Sequence, residues 1–193
     1  MNNFDITIFR WFNSWVAWSP LVANVVSFRA RFLPWAVIAG LIVFVLVPVV
    51  FAKYRAYATK NARIAALSLI SAGVARYGVV EILRFFVVRP RPFEVLDGVY
   101  RLIASVSDGS FPSGHAAAFF ALATPIAFYY RKTALLFFFL ATVISVDRVI
   151  GGVHWPSDIL GGAIVGIATA WFICWCFRKY GTENKSPHLS VRD

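Results

Sequence analysis

Residues 32–52, FLPWAVIAGLIVFVLVPVVFA, run for 21 positions without a charged side chain. About 20 apolar residues cross a hydrocarbon layer roughly 30 Å thick, and a helix is the form that satisfies their backbone polar groups there. Similar stretches recur outward from this one. A second span is predicted over 64–88, interrupted by Arg76, Glu81 and Arg84. Further spans follow over 112–130, 133–150 and 157–177. Composition agrees: of 193 residues, 60% are hydrophobic, 17% aromatic and only 15% charged, with a mean hydropathy of +0.70. Soluble domains carry about 25% charged residues, so that class is excluded. Abundant Phe and Trp with so little charge exclude disorder as well. The fold class is all-α: an integral membrane bundle of five transmembrane helices behind an N-terminal interfacial amphipathic helix. A sixth span over residues 11–28 is the alternative.

The chain divides into an N-terminal interfacial segment (1–31), a transmembrane domain (32–180) and a polar tail (181–193). Over residues 4–18, Phe4, Ile8, Trp11, Phe12 and Trp15 share one helical face, with Asp5, Asn13 and Ser14 off it, as in a helix lying in the membrane interface. Residues 20–31, with Pro20, Asn24, Arg29 and Arg31, read as a second interfacial or re-entrant piece. The opening Asn2, Asn3, Phe4 and Asp5 do not resemble the basic start of a cleavable signal. Cys174 and Cys176, two apart in an apolar run, point to different helix faces and read as small packing residues.

The net charge is +10, which in a soluble protein would suggest a nucleic-acid partner. Here the cations fall in connections instead. Lys53, Arg55, Lys60 and Arg63, then Arg131 and Lys132, then Arg178, Lys179, Lys185 and Arg192 share one side of a five-span chain. By the positive-inside tendency that side is cytoplasmic. No nucleic acid is expected. The 89–111 loop and the 148–157 turn fall on the opposite side.

Those two connections hold the unusual chemistry. In RFFVVRPRP (84–92), Arg84 and Arg91 are two helical turns apart, and two guanidiniums so placed can fork onto one phosphate. In SFPSGH (110–115), Pro112 suits the first helical position, and Ser113 and Gly114 would leave free N–H groups in an opening turn that favours anions. His115 sits in that turn. In DRVIGGVHWPSD (147–158), Pro156 opens a helix and His154 lies four residues from Asp158. The carboxylate can hold one imidazole nitrogen and leave the other free to attack. Lipid-headgroup arginines, a capping turn and a structural His–Asp pair explain each cluster singly; their convergence on one face favours a phosphate site.

Arg84-x6-Arg91-Pro92, Pro112-Ser113-Gly114-His115 and Arg148-x5-His154-x3-Asp158 together resemble the three-part signature of the type-2 phosphatidic acid phosphatase superfamily. Small size and short loops are most similar to its bacterial undecaprenyl-diphosphate phosphatases and related phosphatidylglycerophosphate phosphatases. The resemblance implies a lipid phosphatase or diphosphatase of the inner (plasma) membrane, its active site on the extracytoplasmic face. It implies His154 as nucleophile, Asp158 as its orienting partner and His115 as the proton donor to the leaving oxygen. Arg84, Arg91, Arg148, Ser113 and Gly114 would hold the phosphoryl oxygens. The expected partners are a lipid phosphate or diphosphate and membrane lipids, with no metal and no cofactor. Two departures stand out: Arg84 replaces the usual Lys, and Asp147 replaces a small residue. Asp147 is expected either to hold Arg148 or Arg91 in place or to weaken the positive field. Arg76 reads as a structural charge paired with Glu81 or Asp147, or facing the bundle interior. Glu94 and Asp97 read as solvated loop carboxylates.

Overall fold

Ser19 sets how the chain enters the membrane. The computed structural model describes residues 3–104 and 109–181, so the predicted tail from residue 182 onward lies outside the described residues. At Ser19 the backbone is extended, its hydroxyl accepts from the N–H of Leu21, and Pro20 occupies the first helical turn. This cap separates α1 (Asn3–Trp18) from α2 (Pro20–Val50). The break falls inside 11–28, so those residues do not form one helix. Residues 20–31, expected as a separate piece, instead continue directly into the first span.

A 3₁₀ connection (Ala52–Tyr57) leads to α3 (Ala58–Gly73), which passes through a π-helical turn (Val74–Val79) into α4 (Val80–Phe86). After the short α5 (Pro92–Val95) come α6 (Gly114–Ala127), α7 (Arg131–Ile150) and α8 (Pro156–Gly181). No strand occurs among the described residues. Among the described residues, four helical stretches are long and apolar enough to cross a membrane: Pro20–Val50, Ala52–Phe86, Arg131–Ile150 and Pro156–Lys179. The fifth, α6, has 14 residues, about 21 Å of helix. It can be short because protein encloses it: α3, α7 and α8 all pack on it. Leu122, Ala123 and Ile126 of α6 meet Val37, Leu41, Ile64, Phe137 and Ile144 in the main core.

Small residues set the closest approach. Gly162, Gly166 and Ala170 recur every fourth position on α8 against Ser113, which precedes α6, and Ala117 and Ala121 within it. A Cβ on Gly162 would stand 2.5 Å from the Ser113 carbonyl oxygen, and one on Gly166 would overlap that of Ala117. Association of spans in lipid relies on such contact, since lipid tails are as apolar as Leu.

α1 is amphipathic in an instructive sense. Its apolar edge faces outward: Phe4, Trp11 and Trp18 are exposed, whereas Asp5, Phe9 and Asn13 are buried against the bundle. Asn13 donates to the carbonyls of Tyr100 and Ile150, both at 2.8 Å, and accepts from the Tyr100 N–H at 3.0 Å. Asp5, Phe9 and Asn13 therefore hold the helix to the protein, while Phe4, Trp11 and Trp18 face away from it.

At the opposite end the basic connections gather. Lys60 lies over Tyr129 and Tyr130, Arg178 over Phe128 and Tyr129, and Arg63 over Phe177. One end of the bundle is thus basic and aromatic. The candidate site is at the other.

Candidate active site

Each of the three sequence clusters ends at a cavity of about 460 Å³ lined by Arg76, Arg84, Arg91, Arg148, His115 and His154, among others. Arg84 comes from the last turn of α4, buried, with Nη2 donating to the Pro112 carbonyl at 3.4 Å. The helix ends at Phe86, and Val87 is extended. Arg84 and Arg91 are therefore not stacked on one helix as expected: one sits on a helix, the other caps α5 from a loop. Pro90 and Pro92 explain the break, because neither has an N–H and each drives the residue before it out of the α region. Arg91 Nη1 donates to the Val153 carbonyl at 2.9 Å and lies 3.5 Å from His154 Nε2. Arg148, in the last turn of α7, donates from Nη2 to the Ala30 carbonyl at 3.1 Å.

The opening of α6 differs in detail from the sequence reading. Ser113 is the cap and Gly114 the first helical residue, so Pro112 stands before the helix. The Ser113 N–H is not free: it donates to the Asp158 carbonyl at 3.0 Å, joining the starts of α6 and α8. Ser113 Oγ is buried and has no hydrogen-bond partner among the described residues. Buried hydroxyls are rarely left so.

His154 precedes α8 and is 4% exposed. Its Nδ1 faces Asp158 Oδ2 at 3.4 Å, inside ion-pair range though long for a hydrogen bond. Its Nε2 is turned toward Arg91. Burial pushes the imidazole below its ordinary pKa, Asp158 opposes this, and the Arg91 and Arg84 charges add to it. At neutral pH the ring is uncharged, the form that can attack an electrophile. Asp158 is held independently of the ring: Oδ2 accepts from the Trp155 N–H at 2.8 Å and Oδ1 from Arg89 Nη1 at 2.6 Å.

Arg89, which the sequence reading passed over, is the hub behind this pair. Nη1 also donates to Ser157 Oγ at 2.7 Å, and Nη2 donates to Asp5 Oδ2 at 2.6 Å. Asp5 accepts further from the Ser157 N–H at 3.0 Å and from its hydroxyl at 2.6 Å. The chain from α1 through Arg89 to Asp158 could not be found from spacing, since its members are 84 and 69 residues apart. Burial raises the Asp5 pKa, but the Ser157 and Arg89 donors outweigh it and hold the carboxyl below 3.8. The stability this gives is complete above that ordinary value and is lost as pH falls through the lowered one. Asp5→Asn is expected to lower kcat roughly 10-fold through misplacement of Asp158. Tm at neutral pH should fall, and its drop on acidification toward pH 3 should shrink. Steady-state kinetics and thermal melts check both.

Asp147 pairs with neither expected arginine. It binds Arg29 of α2, with Nη2 at 2.5 Å from Oδ1 and Nε at 3.1 Å from Oδ2, and is itself fully buried. It ties α2 to α7, while Arg148 and Arg91 each donate to a backbone carbonyl instead. Glu94 Oε2 accepts from the Arg91 N–H at 2.7 Å, so it caps α5, while Asp97 is exposed. Arg76 does pair with Glu81 but also lines the cavity, which the reading of it as structural did not anticipate. No group of three His, Cys, Asp or Glu among the described residues converges as a metal site would require.

A bundle of membrane-spanning helices closing one end around arginines and a His–Asp pair defines a class, membrane enzymes that act on phosphate esters. The chain belongs to the PAP2 superfamily, which it matches over residues 62–181. It is a multi-pass membrane lipid phosphatase. It is 29% identical to the bacitracin transport permease protein BcrC of Bacillus licheniformis, over 91% of this chain and 81% of the relative. It is 30% identical to the undecaprenyl-diphosphatase of Sulfolobus acidocaldarius, over 55% and 52%. Among solved structures, Aquifex aeolicus LpxE superposes with a TM-score of 0.70 at 26% identity, covering 90% of this chain and 96% of that one. The PAP2-type phosphatidylglycerolphosphate phosphatase of Bacillus subtilis gives a TM-score of 0.62 at 17% identity, over 93% and 89%, a likeness of fold.

Proposed function

We propose that the protein hydrolyses undecaprenyl diphosphate to undecaprenyl phosphate and phosphate through a phosphohistidine, at the extracytoplasmic face of the plasma membrane. The observation that carries this is the convergence of Arg84, Arg91, Arg148, His115 and His154 on one cavity, with Asp158 behind the His154 ring. His154 Nε2 attacks the terminal phosphorus, and the bond to the bridging oxygen breaks. Asp158 stabilises the positive ring that results. The arginines, the Ser113 hydroxyl and the N–H at Gly114 neutralise the three phosphoryl oxygens, whose charge dominates such a transition state. His115 gives a proton to the leaving oxygen and takes one from the water that cleaves the phosphohistidine. Relatives named undecaprenyl-diphosphatase support the substrate. The basic opposite end supports the orientation.

Transport, the word in one relative's name, asks for polar groups along the depth of the bundle. Buried charged side chains among the described residues gather at one end instead. Purified enzyme in detergent, offered undecaprenyl diphosphate, phosphatidylglycerophosphate and phosphatidate, is expected to release phosphate fastest from the first. Excess EDTA should leave the rate unchanged and vanadate should suppress it. Preference for a monophosphate, or loss on chelation restored by Mg²⁺, would overturn the substrate and the metal-free mechanism respectively.

A further inference from the structure

Arg76 sits where a membrane span should hold no charge. A guanidinium at that depth is costly unless it is partnered or used, and its partner Glu81 is half exposed and also lies 3.6 Å from Arg84. The helix departs from regular geometry here: Val74–Val79 form a π-helical turn, a distortion that often accompanies functional sites. It lays the Arg76 side chain across the first residue of α6, where a Cβ on Gly114 would stand 2.5 Å from Nε. Only glycine permits that approach.

Two hollows meet at this point. Arg76, Gly114 and His115 line the cationic cavity, and the same three line a neighbouring groove of about 450 Å³ walled by Pro34, Leu69, Ala72 and Phe119. The groove runs between α2, α3 and α6, with the apolar lining an isoprenoid or acyl chain needs. A substrate whose terminal phosphate reaches His154 and whose lipid lies in the groove must pass Arg76 and His115.

We infer that Arg76 binds the lipid-attached phosphate of a diphosphate substrate and so selects diphosphates over monophosphate esters; the inference rests on the diphosphatase reading above. When the P–O bond breaks, its electron pair stays on the bridging oxygen, and the departing lipid phosphate gains negative charge beside Arg76. A monophosphate ester places a neutral carbon chain there instead.

The test compares kcat/KM for undecaprenyl diphosphate and for undecaprenyl phosphate or phosphatidate in wild type, Arg76→Gln and Arg76→Lys. Arg76→Gln is expected to lose about 100-fold on the diphosphate, the scale of removing one donor to a developing anion, and less than about 5-fold on the monophosphates. Arg76→Lys should recover part of the difference. Competitive inhibition by methylene diphosphonate should weaken in Arg76→Gln more than inhibition by inorganic phosphate, a binding readout that a merely structural role would not move. Equal losses on both substrate types, or none, overturn the inference while leaving the diphosphatase reading intact. A wild type inactive on diphosphates overturns both.

Discussion

His154→Ala is expected to reduce phosphate release on the order of 10⁴-fold or more, as removal of a nucleophile does elsewhere, while the protein still folds. The structure separates the two effects. Asp158 does not become an orphaned charge when the ring is removed, because Arg89 Nη1 and the Trp155 N–H still hold it at 2.6 and 2.8 Å. Trp155 keeps its own anchors, an Nε1 donation to the Pro90 carbonyl at 2.9 Å and a ring contact with Phe9 at 5.3 Å. The starts of α6 and α8 stay joined through the Ser113 N–H and the Asp158 carbonyl. Expression and melting temperature should therefore remain near wild type. Wild-type enzyme quenched in alkali during turnover should carry phosphate bound to His154, and the variant none. Residual activity above a few per cent in the variant would refute the nucleophile assignment.

The largest structural effect is expected at Gly166. A Cβ there would overlap the Ala117 carbonyl oxygen and stand 2.9 Å from the Ala121 nitrogen, so any side chain meets backbone that cannot rotate away. Gly166→Leu forces α8 off α6. Overpacking of this kind costs about 1–3 kcal/mol, and more where backbone is met. A chain of this length loses roughly 2–4 °C per kcal/mol, so Tm should fall by about 10 °C or the folded yield collapse. Activity should fall with it, because Gly162, one turn earlier on the same face, packs against the Ser113 carbonyl at the mouth of the site. Gly40→Ala is the control: its added Cβ meets only Phe137, at 3.9 Å, and should leave the melt unchanged. A Gly166→Leu protein that melts like wild type would show that the close approach is not needed.

Much of this protein is determined by local sequence. An uncharged run long enough to span a bilayer leaves a helix as the one form for its backbone, so residues 32–52 and the later runs could be read one segment at a time. The candidate site was legible for a related reason. Arg84, Arg91, His115, Arg148, His154 and Asp158 stand at span ends on one side, where charge is too costly to be incidental. Contacts between segments follow another rule, set by which helix packs on which. Asp147 found Arg29 rather than its neighbour Arg148, and Asp5 reached Arg89 across the fold. Phe4, Trp11 and Trp18 of α1 turned outward, because Asp5 and Asn13 had partners inside. Arg76 entered the cavity through a π-helical turn that no residue spacing announces. Sequence alone determined the spans, the charged end and the arginines and histidines gathered there, because burial in lipid is decided residue by residue. Tertiary structure decided which carboxylate holds which arginine, since a charge takes the partner that packing brings within about 3 Å.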